Sequence, residues 1–240
     1  EFVMADGSVV KTGPRRDTLA RQREVIDNLT MLHGLEIEER RPPGLIKRWP
    51  AYAVERCLKR PLNINHIICG SEGTLGAIAA AELRLSPLPK QKGLALLFFD
   101  SVPAAMQATV ELLDLKPAAI EHVDRPLLEQ TRGKLKFKAA RDLMGLDAQP
   151  CESILAVEFF DDVEDKLAAL EAKRLTNRML LLRDPTEAAL FWLVRKAGLA
   201  LLTGMAGDAK PVTVIEDAAV LPVKLPAYVE VLRGILGRHG

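Results

Sequence analysis

Leu94-Ala95-Leu96-Leu97-Phe98-Phe99 is a run of six apolar residues that leads directly into Asp100-Ser101-Val102-Pro103. A short apolar run closed by a turn signal reads as a buried strand. Ser101 is placed to cap a helix, with Pro103 in its first turn and Met106, Val110 and Leu113 on one face. Residues 118–123 read as a second strand, and Asp124 with Pro126 starts a second helix. Residues 134–145 form a basic, partly helical insertion. Residues 153–160 read as a strand, 163–173 as a helix and 179–182 as a weaker strand. The order is β-α-β, insertion, β-α-β. It predicts an α+β, ferredoxin-like unit, an antiparallel sheet with helices on one face.

Upstream, Asp6-Gly7 between Phe2-Val3-Met4 and Val9-Val10 signals a hairpin. Residues 17–32 carry Leu19, Val25, Ile26, Leu29 and Leu32 at helical spacing, with Gly34 as a possible stop. Residues 40–60 carry Arg40, Arg41, Lys47, Arg48, Arg56, Lys59 and Arg60 against Glu55 alone, a net +6. That stretch reads either as solvated irregular surface or as a positive rim beside an anionic ligand. Residues 65–69 read as a short buried strand and 78–85 as another, ended by Ser86-Pro87-Leu88-Pro89. A domain boundary is expected near residue 90. Downstream, Asp184-Pro185-Thr186-Glu187 opens a helix to about residue 201. Residues 212–215 read as a strand, and Leu225-Pro226 starts an amphipathic final helix.

The 240 residues are 48% hydrophobic and 27% charged, with a formal net charge of +1. Disordered and fibrous classes are excluded, and there is no general electrostatic reason to bind nucleic acid. Trp49, Tyr52 and Trp192 are too dispersed for a base-stacking platform. No apolar run approaches the roughly 20 residues of a membrane span. Three scattered cysteines, Cys57, Cys69 and Cys151, encode neither a zinc nor an iron–sulfur site and suit a reducing, cytoplasmic setting. His33, His66 and His122 lack ligand spacing and read as structural, so no metal is expected. His239 reads as a helix-terminal residue.

The strongest chemical signal is Gly70-Ser71-Glu72-Gly73-Thr74-Leu75-Gly76. Glycines without a Cβ let a ligand approach the backbone, and successive free N–H groups form an anion-binding nest. Ser71 and Thr74 add hydroxyls. From the residues alone the stretch reads either as a tight turn or as a phosphate site. It is neither G-x-G-x-x-G nor a P-loop.

Residues 67–78 with 81–89 resemble the signature of FAD-linked oxidases of the vanillyl-alcohol-oxidase type, in the branch of D-lactate dehydrogenase and the glycolate oxidase flavin subunit. Residues 3–13 resemble the hairpin of that family's second FAD-binding subdomain. Residues 192–199, 215–220 and 225–226 resemble its C-terminal cap region. The resemblance implies a partial FAD-binding domain over residues 1–90 and an incomplete ferredoxin-like substrate cap over 91–240. It implies FAD as cofactor, held by Gly70, Ser71, Glu72, Gly73, Thr74, Leu75, Gly76 and Ile78. It also implies a small 2-hydroxy acid as substrate, with Arg195 on its carboxylate and Asp217 lining its pocket.

A guanidinium fork pairs bidentately with a carboxylate. Trp192, Arg195 and Leu199 share a helical face, so Arg195 is expected beside apolar packing. Adjacent Glu216 and Asp217 face opposite sides of an extended strand and cannot form an acid–base pair. The family's first FAD subdomain and its histidine-rich block have no match here. No catalytic residue is therefore assigned, and this polypeptide alone is expected to be inactive, to bind FAD weakly or not at all, and to self-associate through an exposed half-site. The electron acceptor is left open. Two other readings stand beside this one: a non-catalytic ferredoxin-like assembly module, and one half of a two-chain flavoenzyme.

Overall fold

Phe2–Met4 (β1) and Val9–Val10 (β2) pair antiparallel around Asp6-Gly7, as the hairpin signal predicts. Gly7 takes φ +82°, and Asp6 Oδ1 accepts from the Ser8 amide at 2.9 Å. The computed structural model describes residues 1–13, 19–41, 44, 51–208, 210–211, 215 and 218–239. The chain divides into two compact units. One comprises residues 1–86 with 217–219, and the other residues 87–216 with 220–240.

In the first unit Ala20–Arg40 (α1) continues past Gly34, which does not end it. Glu36 pairs with Arg40 at 2.8 Å one turn on and supports the extra turns. The unit's small core joins Phe2, Leu19, Ile64 and Ile68, with Ile26 packed on it. Val25, Leu29 and Leu32 are exposed, so the buried face is narrower than the apolar spacing implies. Asn65–Ile68 (α2) is a helical turn, not the expected strand. Asn63 Oδ1 accepts from the Asn65 amide at 3.1 Å, and Ile64 and Ile68, four apart, both face the core. Gly76–Ile78 (β3) pairs antiparallel with β1, completing a sheet of order β2-β1-β3. The strand expected over 78–85 ends at Ile78. The amides of Ala79 and Ala80 both donate to the carbonyl of Glu1, and no ladder follows.

Lys92–Phe99 (β4) opens the second unit. Val102–Leu112 (α3) follows, and its cap residue Ser101 accepts from the Ala104 amide at 3.3 Å. Then come Ala119–Asp124 (β5), Arg125–Gln130 (α4), Lys138–Met144 (α5), Ser153–Phe160 (β6), Val163–Ala172 (α6) and Met179–Leu182 (β7). The sheet order is β5-β6-β4-β7, antiparallel throughout. This is the expected split β-α-β arrangement.

Both faces of the sheet are covered, where helices on one face were expected. Ala95, Leu97 and Phe99 pack with α3 and α6. Leu94, Leu96 and Phe98 pack with Val123, Met144, Phe191 and Val194 on the other side. A strand buried on both faces needs an unbroken apolar run rather than alternation, and residues 94–99 are such a run. The insertion supplies Phe137, Ala140 and Met144 to this second core.

Asp184 caps Pro185–Lys196 (α7), accepting from the Thr186 amide at 2.8 Å. Gly198–Thr203 (α8) and Leu225–His239 (α9) complete the described helices. The strand expected over 212–215 falls largely outside the described residues; Ile215 is exposed. Among the described residues, no helix is long and apolar enough to cross a membrane.

Candidate functional site

The glycine block leaves α2 as a turn, and each glycine answers a different demand. A Cβ at Gly70 would stand 2.2 Å from the Ala51 carbonyl oxygen, and one at Gly76 would stand 2.3 Å from that of Val3. Those two glycines permit close backbone approach. Gly73 differs. It follows Glu72 at φ +48° with its own φ at +79°, and nothing lies within 4 Å of where its Cβ would be.

The hydroxyls are committed locally. Ser71 Oγ is buried and donates to Ile68 O at 2.9 Å, while Thr74 Oγ1 donates to Ser71 O at 2.6 Å. Tyr52 Oη bonds Thr74 Oγ1 at 2.5 Å, a contact that reading the sequence did not find. No motif links Tyr52 to a hydroxyl 22 residues away. The Thr74 amide closes the turn onto Ser71 O at 2.9 Å. The amides of Glu72, Gly73 and Leu75 carry no hydrogen bond among the described residues. Successive left-handed residues with free amides and open space form a nest for an anionic oxygen. The donor set therefore fits a diphosphate, through backbone N–H groups rather than the Ser71 hydroxyl.

Leu75 and Ile78 are exposed. An open cavity of about 1390 Å³ in this unit is lined by Lys11, Asn65, Cys69, Ile78 and Arg84 among others. Of the residues expected at FAD, Ile78 lines it and residues 70–76 do not. Among the described arginines of the basic stretch, Arg60 pairs with Asp27 at 3.1 Å and Arg41 with Glu38 at 3.7 Å. Lys47 and Arg48 lie outside the described residues.

In the second unit α7 buries Phe191 and Val194 against the sheet, and Trp192 packs edge-on to Phe191 with ring centres 5.3 Å apart. Arg195 follows at the border of this core. Its Nε donates to Glu121 Oε2 on β5 at 2.8 Å, with both side chains partly exposed. Leu199 belongs to α8 and is exposed. Asp217 lies outside the described residues, as does Glu216.

His122 points to the opposite face of β5, where its Nε2 bonds Ser153 Oγ. Burial holds the imidazole below its ordinary value; Asp124 opposes this and Arg233 adds to it. Burial also pushes the Cys57 and Cys151 thiols up, which makes them poor nucleophiles. No group of three or more metal-ligating side chains occurs among the described residues.

The family model described as FAD linked oxidases, C-terminal domain, matches residues 88–240. The chain belongs to the FAD linked oxidases. FAD is the cofactor of these oxidases, and the matched region comprises the four-stranded sheet and the helices on both its faces. The chain is similar to D-2-hydroxyglutarate dehydrogenase of Pseudomonas putida, 29% identical over 189 residues, and to that of Pantoea ananatis, 25% identical over 194 residues. Each match covers 74% of this chain and 19% of the relative. It is also similar to the glycolate oxidase subunit GlcD of Bacillus subtilis, 26% identical over 185 residues, covering 74% of this chain and 37% of that protein. The chain thus spans about a fifth of the length of the dehydrogenases it matches.

Proposed function

We propose that this chain works as part of an FAD-dependent oxidoreductase that oxidises a 2-hydroxy acid such as D-lactate, glycolate or D-2-hydroxyglutarate. Residues 1–90 contribute the second part of the FAD-binding domain, and residues 91–240 form the substrate cap. The Glu72-Gly73 turn holds the FAD diphosphate through its free amides, beside Leu75, Gly76 and Ile78. Arg195 receives the substrate carboxylate. When bound, FAD supplies the acceptor for the hydride leaving the substrate's α-carbon. The chain's own residues bind and orient.

The observation that carries this reading is the guanidinium of Arg195. Its Nη1 and Nη2 groups carry no hydrogen bond among the described residues, and the side chain is 43% exposed. That leaves one two-donor edge open to a carboxylate. The names of the relatives, a D-2-hydroxyglutarate dehydrogenase and a glycolate oxidase subunit, support the substrate class. Three free cysteines fit a reducing compartment, the cytoplasm. Exposed Leu29, Leu32 and Leu35 on α1 support self-association, which light scattering tests.

The test is a visible absorption spectrum of the full chain after incubation with FAD and desalting, followed by addition of each acid. A retained flavin spectrum that one of the acids shifts without bleaching is the expected result, because the amides of the turn are open and no catalytic residue is assigned to this chain. Retained colour that none of the three acids shifts overturns the substrate class. A second reading, half of a two-chain flavoenzyme, is favoured by the Bacillus relative's name as a subunit. It predicts that flavin reduction requires a second polypeptide.

A further inference from the structure

We propose that Glu121 is a positioning residue for the substrate carboxylate, acting through Arg195; this rests on the reading of Arg195 given above. Arginine has two edges that can each present a pair of N–H donors, one through Nε and one through the two Nη atoms. Glu121 takes the first, with one oxygen on Nε at 2.8 Å. The second edge is left unpaired among the described residues.

Each partner is anchored in a regular element that packs on the same core. Glu121 sits on β5 in register with Ala156 of β6, and its neighbour two residues on, Val123, is buried in the same core as Phe191 and Val194 of α7. The carboxylate is therefore held by the sheet and the stem of Arg195 by the helix. Their hydrogen bond removes the rotational freedom of a long side chain before any ligand arrives. Ordering such a side chain at the moment of binding weakens affinity, so prior ordering strengthens it.

A role as an ordinary surface ion pair makes a different prediction. Exposed pairs contribute little to stability, and a negative charge beside an anion site repels the anion. On charge alone, removing Glu121 should tighten carboxylate binding. On positioning, removing it should weaken binding despite the lost repulsion. The two accounts differ in sign.

The experiment titrates D-2-hydroxyglutarate into the full chain by calorimetry and follows the Arg195 Nε–H resonance in parallel. Four forms are compared: wild type, E121A, E121Q and R195Q, each checked for an unchanged thermal midpoint. The expected result is weakening by about three- to tenfold in E121A. E121Q, which keeps an acceptor oxygen for Nε, recovers most of the affinity, and R195Q loses it. If E121A and E121Q both bind as tightly as wild type or tighter while R195Q binds poorly, positioning is overturned and the Arg195 anchor stands. If wild type and R195Q bind equally, or neither binds, the anchor fails and the proposal fails with it.

Discussion

The guanidinium of Arg178 lies 4.0 Å from the centre of the Phe98 ring and donates to the carbonyls of Met144 and Gln149. One side chain thus ties β4 to the end of α5 and the loop beyond it. An arginine stacked on an aromatic face adds its cation–π attraction to two charge-assisted hydrogen bonds. Arg178→Ala is expected to lower stability by about 2 kcal/mol. Arg178→Lys should recover less than half, because a point ammonium cannot serve both carbonyls and the ring. Urea unfolding of the three proteins measures this. Equal stability of the lysine variant and wild type would contradict the account.

A second tie is the buried Arg141. It donates to Leu128 O and Thr131 Oγ1, both at 2.8 Å, and pairs with Asp147. Removing it takes two charge-assisted hydrogen bonds from a buried site, where the Thr131 hydroxyl keeps only its bond to Leu128 O at 2.6 Å, while Asp147 stays open to water. Arg141→Leu should cost about 2 kcal/mol. Chemical denaturation monitored by tryptophan fluorescence decides between that and a near-neutral effect.

The same pair sets an acid dependence. The Arg141 guanidinium beside Asp147 holds that carboxyl below its ordinary value. A carboxyl with a depressed folded value contributes stability above the unfolded value. The contribution disappears as pH falls through the folded one. In Asp147→Asn the loss of thermal stability below about pH 4 should be shallower than in wild type. Parallel acid limbs in the two proteins would rule out this coupling.

His122 should titrate with the opposite chemistry and the same sign. Its imidazole is held below the ordinary value by burial, so it is neutral when folded and protonates more readily when unfolded. Stability is full above about pH 6.5 and declines as pH falls through the lower folded value. His122→Gln can still bond Ser153 Oγ but does not titrate. The drop in melting temperature between about pH 8 and 5.5 should shrink in this variant. An unchanged drop would assign it to other groups.

The three glycines of the block should respond differently to alanine. At Gly70 and Gly76 the added carbon meets a carbonyl oxygen at 2.2 and 2.3 Å, so the backbone must move. A cost of about 3 kcal/mol or more is expected in each case. At Gly73 only left-handed strain applies, about 1 kcal/mol, and the variant should stay folded. Its methyl group would fill the open space of the nest, so FAD retention after desalting should fall. Melting curves and the flavin spectrum read the two effects separately. A Gly73→Ala protein that retains FAD like wild type would remove the turn from the cofactor site.

The strands at 153–160 and 179–182 were legible to the residue, because apolar runs there end at clear breaks. Residues 65–69 misled because a run of three β-branched or apolar residues has no period of its own; Ile64, one residue outside it, reveals the helical spacing. Gly34 misled because a glycine inside a helix is only a modest cost, against which six further helical residues and the Glu36–Arg40 ion pair stand. In the site, the glycine block was legible as glycines, and Arg195 through its resemblance to the oxidases. Glu121 was not, since it lies 74 residues from Arg195 and carries no local signal.

By itself the order of residues determined the β-α-β repeat, the caps at Ser101 and Asp184, and the turn at 70–76. Caps, periods and glycine turns act over a few bonds, so they survive without knowledge of the rest of the chain. Tertiary structure alone decided that a second layer of helices covers the sheet, that Ser71 spends its hydroxyl on Ile68 while neighbouring amides stay open, and that Glu121 meets Arg195. These depend on which distant surfaces must leave water together, and burial of both faces of β4 is the physical term that brings them there.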